Sequence, residues 1–255
     1  METVLTEWDG IMPRFRAATA RQGVRAPATI RPGSVQPFAM LVLAARNSGK
    51  SYLVRELYRR NQFNRRFDVV IVVSQTLGSG FYQGFIDESR LIAADTYTPE
   101  LLAALRSRQD AHREEHDTYP SALVILDDCI GQRVKHDPEL EQLFCMGRHR
   151  GTSVLFVSQS PTLAMTTWRQ NATHVVLLNL KGLGLDSVKR ELLPQAVDQA
   201  DADGACARLG LPPMRREVFV DALLGAYLRQ PYMAVVLLCE EHGFEMTDRV
   251  RWFRA

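Results

Sequence analysis

Five short apolar runs, at residues 38–43, 69–73, 122–126, 153–157 and 173–178, constrain this chain more than any other feature. Each is five or six residues long and almost wholly apolar, without the polar alternation of a strand that has one wet face. Uninterrupted runs of this length belong to strands covered on both faces of a parallel sheet. Helices must supply that cover, and helix-compatible stretches occur at 51–58, 99–115, 138–146, 185–193 and 217–227. The alternation predicts a three-layer α/β domain around a mostly parallel central sheet. A last apolar run at 232–239, followed by polar residues 240–243 and then 244–253, predicts a closing hairpin or edge strand.

A chain of 255 residues can bury one large core without disulfide or metal staples. Its 31 Lys plus Arg nearly balance 29 Asp plus Glu, so net charge selects no partner. Cys129, Cys145, Cys206 and Cys239 are widely spaced and include no C-x-x-C pair, which predicts neither a zinc cage nor a disulfide framework. No apolar run approaches the roughly 20 residues of a membrane helix, so no span is expected. Glu2, Glu7 and Asp9 stand where a secretory signal would be apolar, and no such signal is expected. Residues 11–36 carry Arg14, Arg16, Arg21, Arg25 and Arg31 with three prolines and no acid. That composition builds no core, so 1–36 is read as a basic arm and 37–255 as the folded domain.

The first apolar run leads directly into Ala44, Ala45, Arg46, Asn47, Ser48, Gly49, Lys50 and Ser51, and then into a helix. This is the strand, loop and helix setting of a Walker A phosphate loop. Ala45, Arg46, Asn47, Ser48, Gly49, Lys50 and Ser51 are therefore the candidate nucleotide-binding residues. Gly49 lets the backbone approach phosphate, Lys50 brings a cation to the β and γ phosphates, and Ser51 offers a hydroxyl to magnesium. The helix N-terminus adds N–H donors and a favourable dipole. Ala44 replaces the motif's first glycine and would be strained there if the position required a positive φ.

The third run ends in Asp127 and Asp128, the layout of a Walker B element. We assign Asp127 to magnesium and Asp128 to the attacking water. The fourth run delivers Ser158 and Gln159 to the same edge, where an open parallel sheet binds its ligands. Lys50, Asp127 and Gln159 are thus expected to converge, with Gln159 sensing the γ phosphate or the water. Arg148, Arg150 and Arg169 are candidates for an arginine finger reaching a neighbouring subunit.

In the order P-F-A-M-L-V-L-A-A-R-N-S-G-K-S, A-L-V-I-L-D-D, M-G-R-H-R-G-T-S-V-L-F-V-S-Q and N-A-T-H-V-V-L-L-N, the chain resembles the genome-packaging ATPases of poxviruses and other double-stranded DNA viruses. These belong to the FtsK/HerA superfamily of P-loop ATPases. The G-R-H segment before a strand ending in S-Q carries the most specific part of the likeness. The resemblance implies a RecA-like P-loop NTPase core using ATP and Mg2+. It further implies a homo-oligomeric ring, taken as a hexamer, that moves double-stranded DNA into a preformed capsid with a capsid or portal partner. A viral protein of this kind would act at host assembly sites in cytoplasm or nucleus, or travel with the virion. Of the arginine-finger candidates, Arg148 joins Asp128 and Gln159 as a catalytic candidate.

Two other readings stay open on sequence alone. One is a cellular-type DNA-pumping ATPase, and the other is a nucleotide-binding assembly factor with weak turnover. A GTPase could claim Asp128, Cys129, Ile130 and Gly131 as a D-x-x-G switch, but the chain has no N-K-x-D motif. The cluster of Arg55, Arg59, Arg60, Arg65 and Arg66 is dense enough to contact phosphates, or to form a solvated helix face.

Overall fold

The structure is a computed structural model, and it describes residues 37–60, 63–129, 131, 136–180, 182–193, 197–228, 233–239 and 250–254. The basic arm at 1–36, and Arg60 as a side chain, lie outside the described residues. The chain divides between His174 and Val175 into two compact units.

The first unit is built on five strands: β1 (Ala39–Ala44), β2 (Val69–Ser74), β3 (Leu91–Ala94), β4 (Ala122–Asp127) and β5 (Thr152–Ser158). They lie in the order β3-β2-β4-β5-β1, and each neighbouring pair is parallel. Every residue of β1, β4 and β5 is buried, as the unbroken apolar runs require. β3 is the one strand of this unit that the sequence reading missed. It sits at the sheet edge with Ile92 and Ala93 exposed, so its four residues carry little burial signal.

Among the described residues four helices belong to this unit: α1 (Lys50–Arg60), α2 (Pro99–His116), α3 (Pro138–Met146) and the short α4 (Thr166–Gln170). α1 buries Leu53, Val54, Leu57 and Tyr58, an apolar stripe at helical spacing. α3 starts where Asp137 accepts hydrogen bonds from the N–H groups of Glu139 and Leu140, with Pro138 at the first helical position. α4 was not anticipated, being one turn long, but its fully buried Trp168 stacks on Phe144 at 4.5 Å and meets the edge of Phe156. A second aromatic cluster joins Phe38, Tyr58, Phe63, Phe67, Phe81, Tyr82 and Phe85.

The second unit contains β6 (His174–Leu178), α5 (Gly182–Glu191), α6 (Gln199–Leu209), α7 (Arg216–Tyr227), β7 (Met233–Leu238) and β8 (Val250–Arg254). β7 and β8 pair antiparallel, which agrees with the closing hairpin or edge strand read from 232–253. α6 was missed, because its Ala, Asp and Gly content gives a weak apolar stripe. A capping box between Asp198 and Asp201 fixes its start instead. Helices cover both sides of a mostly parallel sheet, the three-layer α/β class expected from the runs.

Candidate nucleotide-binding site

β1 ends at Ala44, and residues 45–49 turn the chain into α1 at Lys50. Ala44 is a buried strand residue with no positive φ. The left-handed positions of the loop are Asn47 (φ 56°) and Gly49 (φ 89°), so alanine at 44 carries no backbone strain. Asn tolerates this conformation because its short side chain serves the backbone locally. The first turn of α1 holds Lys50 and Ser51, contains no acidic residue, and points its unpaired N–H groups into the loop. The Ser48 hydroxyl in the loop is buried without a hydrogen-bond partner.

β4 brings Asp127 and Asp128 to the same edge. Asp127, the last residue of the strand, is buried and aligned with Ser74 on one neighbour and Val157 on the other. Asp128 donates its N–H to the Val157 carbonyl at 3.0 Å and then turns the chain away at φ 49°. That left-handed turn aims its carboxylate at the phosphate loop, where it forms a half-buried ion pair with the Lys50 ammonium. The same oxygen, Asp128 Oδ2, accepts a hydrogen bond from Gln159 Nε2 at 2.9 Å.

Lys50, Asp127 and Gln159 were expected to converge; the structure joins Lys50 and Gln159 on Asp128 instead. Lys50 and Gln159 both contact Asp128, the residue assigned to water, while Asp127 lies beside them. Lys50 and Asp127 do not lie on adjoining strand tips, because β5 stands between β4 and β1. Asp127 lies deeper, and its Oδ2 accepts a 2.7 Å hydrogen bond from the Tyr82 hydroxyl. Its Oδ1 is buried with no partner.

Burial raises the Asp127 carboxyl above its ordinary range; the Tyr82 hydrogen bond opposes that shift, Asp128 adds to it, and Lys50 and then the Ser74 hydroxyl beside it on β2 oppose it again. Burial, then the Asp127 charge, pushes the Tyr82 hydroxyl far upward, so it stays protonated and donates. Burial also lifts the Cys129 thiol to about 12, which removes it as a nucleophile. Tyr82 was absent from the sequence reading. Its one local sign is an aromatic pair, Phe81 and Tyr82, inside a glycine-rich stretch between strands.

A magnesium ion fits these residues chemically. The donor set is oxygen only, a buried unpartnered carboxylate oxygen on Asp127 and the Ser51 hydroxyl at the helix start. Among the described residues no group of three or more His, Cys, Asp or Glu gathers into a cage. One carboxylate and one hydroxyl suit a hard cation that takes its remaining ligands from phosphate and water.

The candidate arginines lie elsewhere. Residues Gly147–Arg150 precede β5, whereas Gln159 follows it, so Arg148 and Arg150 sit at the opposite end of the strand. Seven strand residues span roughly 23 Å, too far for either arginine to reach Lys50 within one chain. Arg150 pairs with Asp110, and Arg169 donates to the Ala164 carbonyl at 2.6 Å and Thr166 Oγ1 at 3.2 Å. Arg148 is exposed. Of the basic cluster, Arg55 lies over the Tyr52 ring at 4.5 Å, while Arg59 and Arg65 are exposed.

The family described as Poxvirus A32 protein matches residues 33–197, more than half of the chain. No curated protein matches it in sequence. Solved structures share its fold at low identity. B204, the DNA-packaging ATPase from Sulfolobus Turreted Icosahedral Virus, is 12% identical with a TM-score of 0.57, covering 85% of this chain and 97% of that one. The genome packaging NTPase B204 from Sulfolobus turreted icosahedral virus 2, in complex with AMPPCP, is 14% identical with a TM-score of 0.58, covering 86% and 97%. The cytoplasmic domain of the Type VII secretion ATPase EccC from Thermomonospora curvata is 16% identical with a TM-score of 0.52, covering 85% of this chain and 25% of that chain. The fold is that of the P-loop ATPases, as the resemblance implied. No helix among the described residues is long and apolar enough to cross a membrane.

Proposed function

This chain belongs to the poxvirus A32 protein family, and on that premise we propose that it is an ATP-driven motor moving double-stranded viral genome DNA into a preformed capsid. The observation that carries the reading is the linked set at the sheet edge: Lys50 and Gln159 on one oxygen of Asp128, with a buried, unpartnered oxygen of Asp127 beside them. The structural likeness to proteins named as packaging ATPases supports it.

In this reading residues 45–51 form the Walker A loop, and Asp127 and Asp128 form the Walker B pair. Loop amides and the start of α1 hold the phosphates, and Lys50 exchanges the Asp128 carboxylate for phosphate oxygens. Ser51 and Asp127 would hold magnesium, which when bound neutralises charge on the β and γ oxygens. Released from Lys50, Asp128 becomes available to orient the attacking water and accept its proton. Gln159, bonded to that same carboxylate, reports the exchange to β5 and the segments beyond it. Such a linkage couples hydrolysis to loop motion through a short contiguous path. Arg148, at the far end of β5, acts only on the nucleotide of a neighbouring copy, so the motor works as a ring, taken as a hexamer. DNA contact through arginines would be blind to sequence and steeply weakened by salt. A capsid or portal component completes the machine at viral assembly sites.

Purified full-length protein should hydrolyse ATP only with magnesium, and faster with duplex DNA. Lys50→Ala or Asp127→Asn should reduce phosphate release to background. ATP binding without turnover would replace the motor by a nucleotide-dependent assembly factor, and a marked preference for GTP would replace it by a switch.

A further inference from the structure

Tyr82 lies 45 residues from Asp127 in sequence, yet its hydroxyl meets Asp127 Oδ2 at 2.7 Å in a fully buried setting. The ring has no freedom to leave. It packs against Phe81 at 5.2 Å and Phe85 at 5.7 Å, and Phe85 packs in turn on Tyr58 of α1 at 5.2 Å. Backbone bonds from Phe85 and Ile86 to the Tyr82 carbonyl close the turn. Asn64 then staples it, accepting from the Tyr58 hydroxyl at 2.6 Å and donating to the Phe85 carbonyl at 3.2 Å. The segment is thus fixed to the helix that begins with Lys50 and Ser51, and it presents one donor to the end of β4.

A carboxylate has two oxygens, and here they are treated differently. Oδ2 is committed to Tyr82, while Oδ1 is buried and unpartnered. A buried polar atom left without a partner costs about 1–3 kcal/mol, so its retention at a strand tip calls for a ligand. A protonated hydroxyl that donates to one oxygen locks the carboxylate rotamer and leaves the other for a cation or its water. Partners that orient a ligating group in this way commonly govern metal affinity.

We infer that Tyr82 is a positioning residue for the magnesium site, holding Asp127 through Oδ2 so that Oδ1 remains the ligating oxygen. The inference rests on the proposed role of Asp127, and it makes the 76–90 segment part of the metal site's framework. It also ties that framework to the phosphate loop's own helix: Phe81 lies under the Arg55 guanidinium at 5.8 Å, and Arg55 covers Tyr52.

The test is Mn2+ affinity of full-length protein bound to a non-hydrolysable ATP analogue, read by electron paramagnetic resonance. Tyr82→Phe removes only the hydroxyl. It should weaken Mn2+ binding about tenfold or more, while affinity for the analogue in EDTA and the melting temperature stay near wild type. Phe85→Leu disturbs the same packing without touching the hydrogen bond, and should leave Mn2+ affinity unchanged. Wild-type Mn2+ affinity in Tyr82→Phe, or an equal loss in Phe85→Leu, overturns the inference. Asp127→Asn separates the two levels: a loss there with none in Tyr82→Phe removes only the role of Tyr82. Unchanged affinity in Asp127→Asn removes the metal assignment of Asp127 itself.

Discussion

The two ends of the parallel sheet in the first unit are both rich in polar side chains, but they treat them oppositely. At the carboxyl end, Asp127 is buried with one oxygen unpartnered and Asp128 takes two donors on a single oxygen. At the amino end, the buried Gln109 side chain is fully engaged. The Gln109 amide of α2 donates to the Pro120 carbonyl at 3.2 Å, the Arg150 carbonyl at 3.0 Å and Thr152 Oγ1 at 2.9 Å. Gly151 turns the chain at φ 69°, where a Cβ would lie 3.6 Å from the Pro120 carbonyl, and Arg150 pairs with Asp110. One end leaves a buried carboxylate oxygen unpaired; the other uses Gln109 to tie the corner before β5 to α2. The difference teaches that the segment carrying Arg148 and His149 is held in place from a neighbouring helix, whereas the strand tip carrying Asp127 keeps hydrogen-bonding capacity unused.

The sharpest way to break the comparison is Arg148→Ala. As a finger acting on a neighbouring copy, its loss should leave nucleotide affinity intact and lower turnover by about 10³-fold or more. Mixing it with Lys50→Ala should restore part of the activity in phosphate-release assays, because each variant supplies what the other lacks. No recovery on mixing would make the basic corner structural only. Next in size, Gln109→Ala strips three acceptors of a buried donor and should cost about 1–3 kcal/mol in denaturant unfolding, with nucleotide affinity unchanged. A fall in nucleotide affinity instead would show that the two ends are not separate. Smallest, Asp110→Ala breaks an ion pair whose partners are 33% and 44% exposed. Unfolding should register no more than about 1 kcal/mol, shrinking further in high salt.

Particular residues show what sequence could and could not reveal. The strands at β1, β2, β4, β5 and β6 were legible because burial on both faces erases alternation, a local signal. β3 was not, since an edge strand with exposed Ile92 and Ala93 reads like a loop. The strand-to-helix turn was legible from Gly49, Lys50 and Ser51, and the question over Ala44 dissolved once its backbone proved to be ordinary strand. Arg148, Arg150 and Arg169 looked equivalent in sequence. The structure pairs Arg150 with Asp110 and Arg169 with the Ala164 carbonyl, contacts that are not written in the motif.

The chain's own order of residues determined the sheet's strands, the turn from β1 into α1 and the acidic strand end, because burial pattern, turn chemistry and helix start are properties of neighbouring residues. Strand order is not such a property. Only the fold inserted β5 between β1 and β4, turned Asp128 rather than Asp127 onto a lysine 78 positions away, and brought Tyr82 across 45 positions to the carboxylate behind it. Those contacts arise from packing chosen over the whole core, where the cost of closing long loops is repaid collectively and leaves no mark in any single segment.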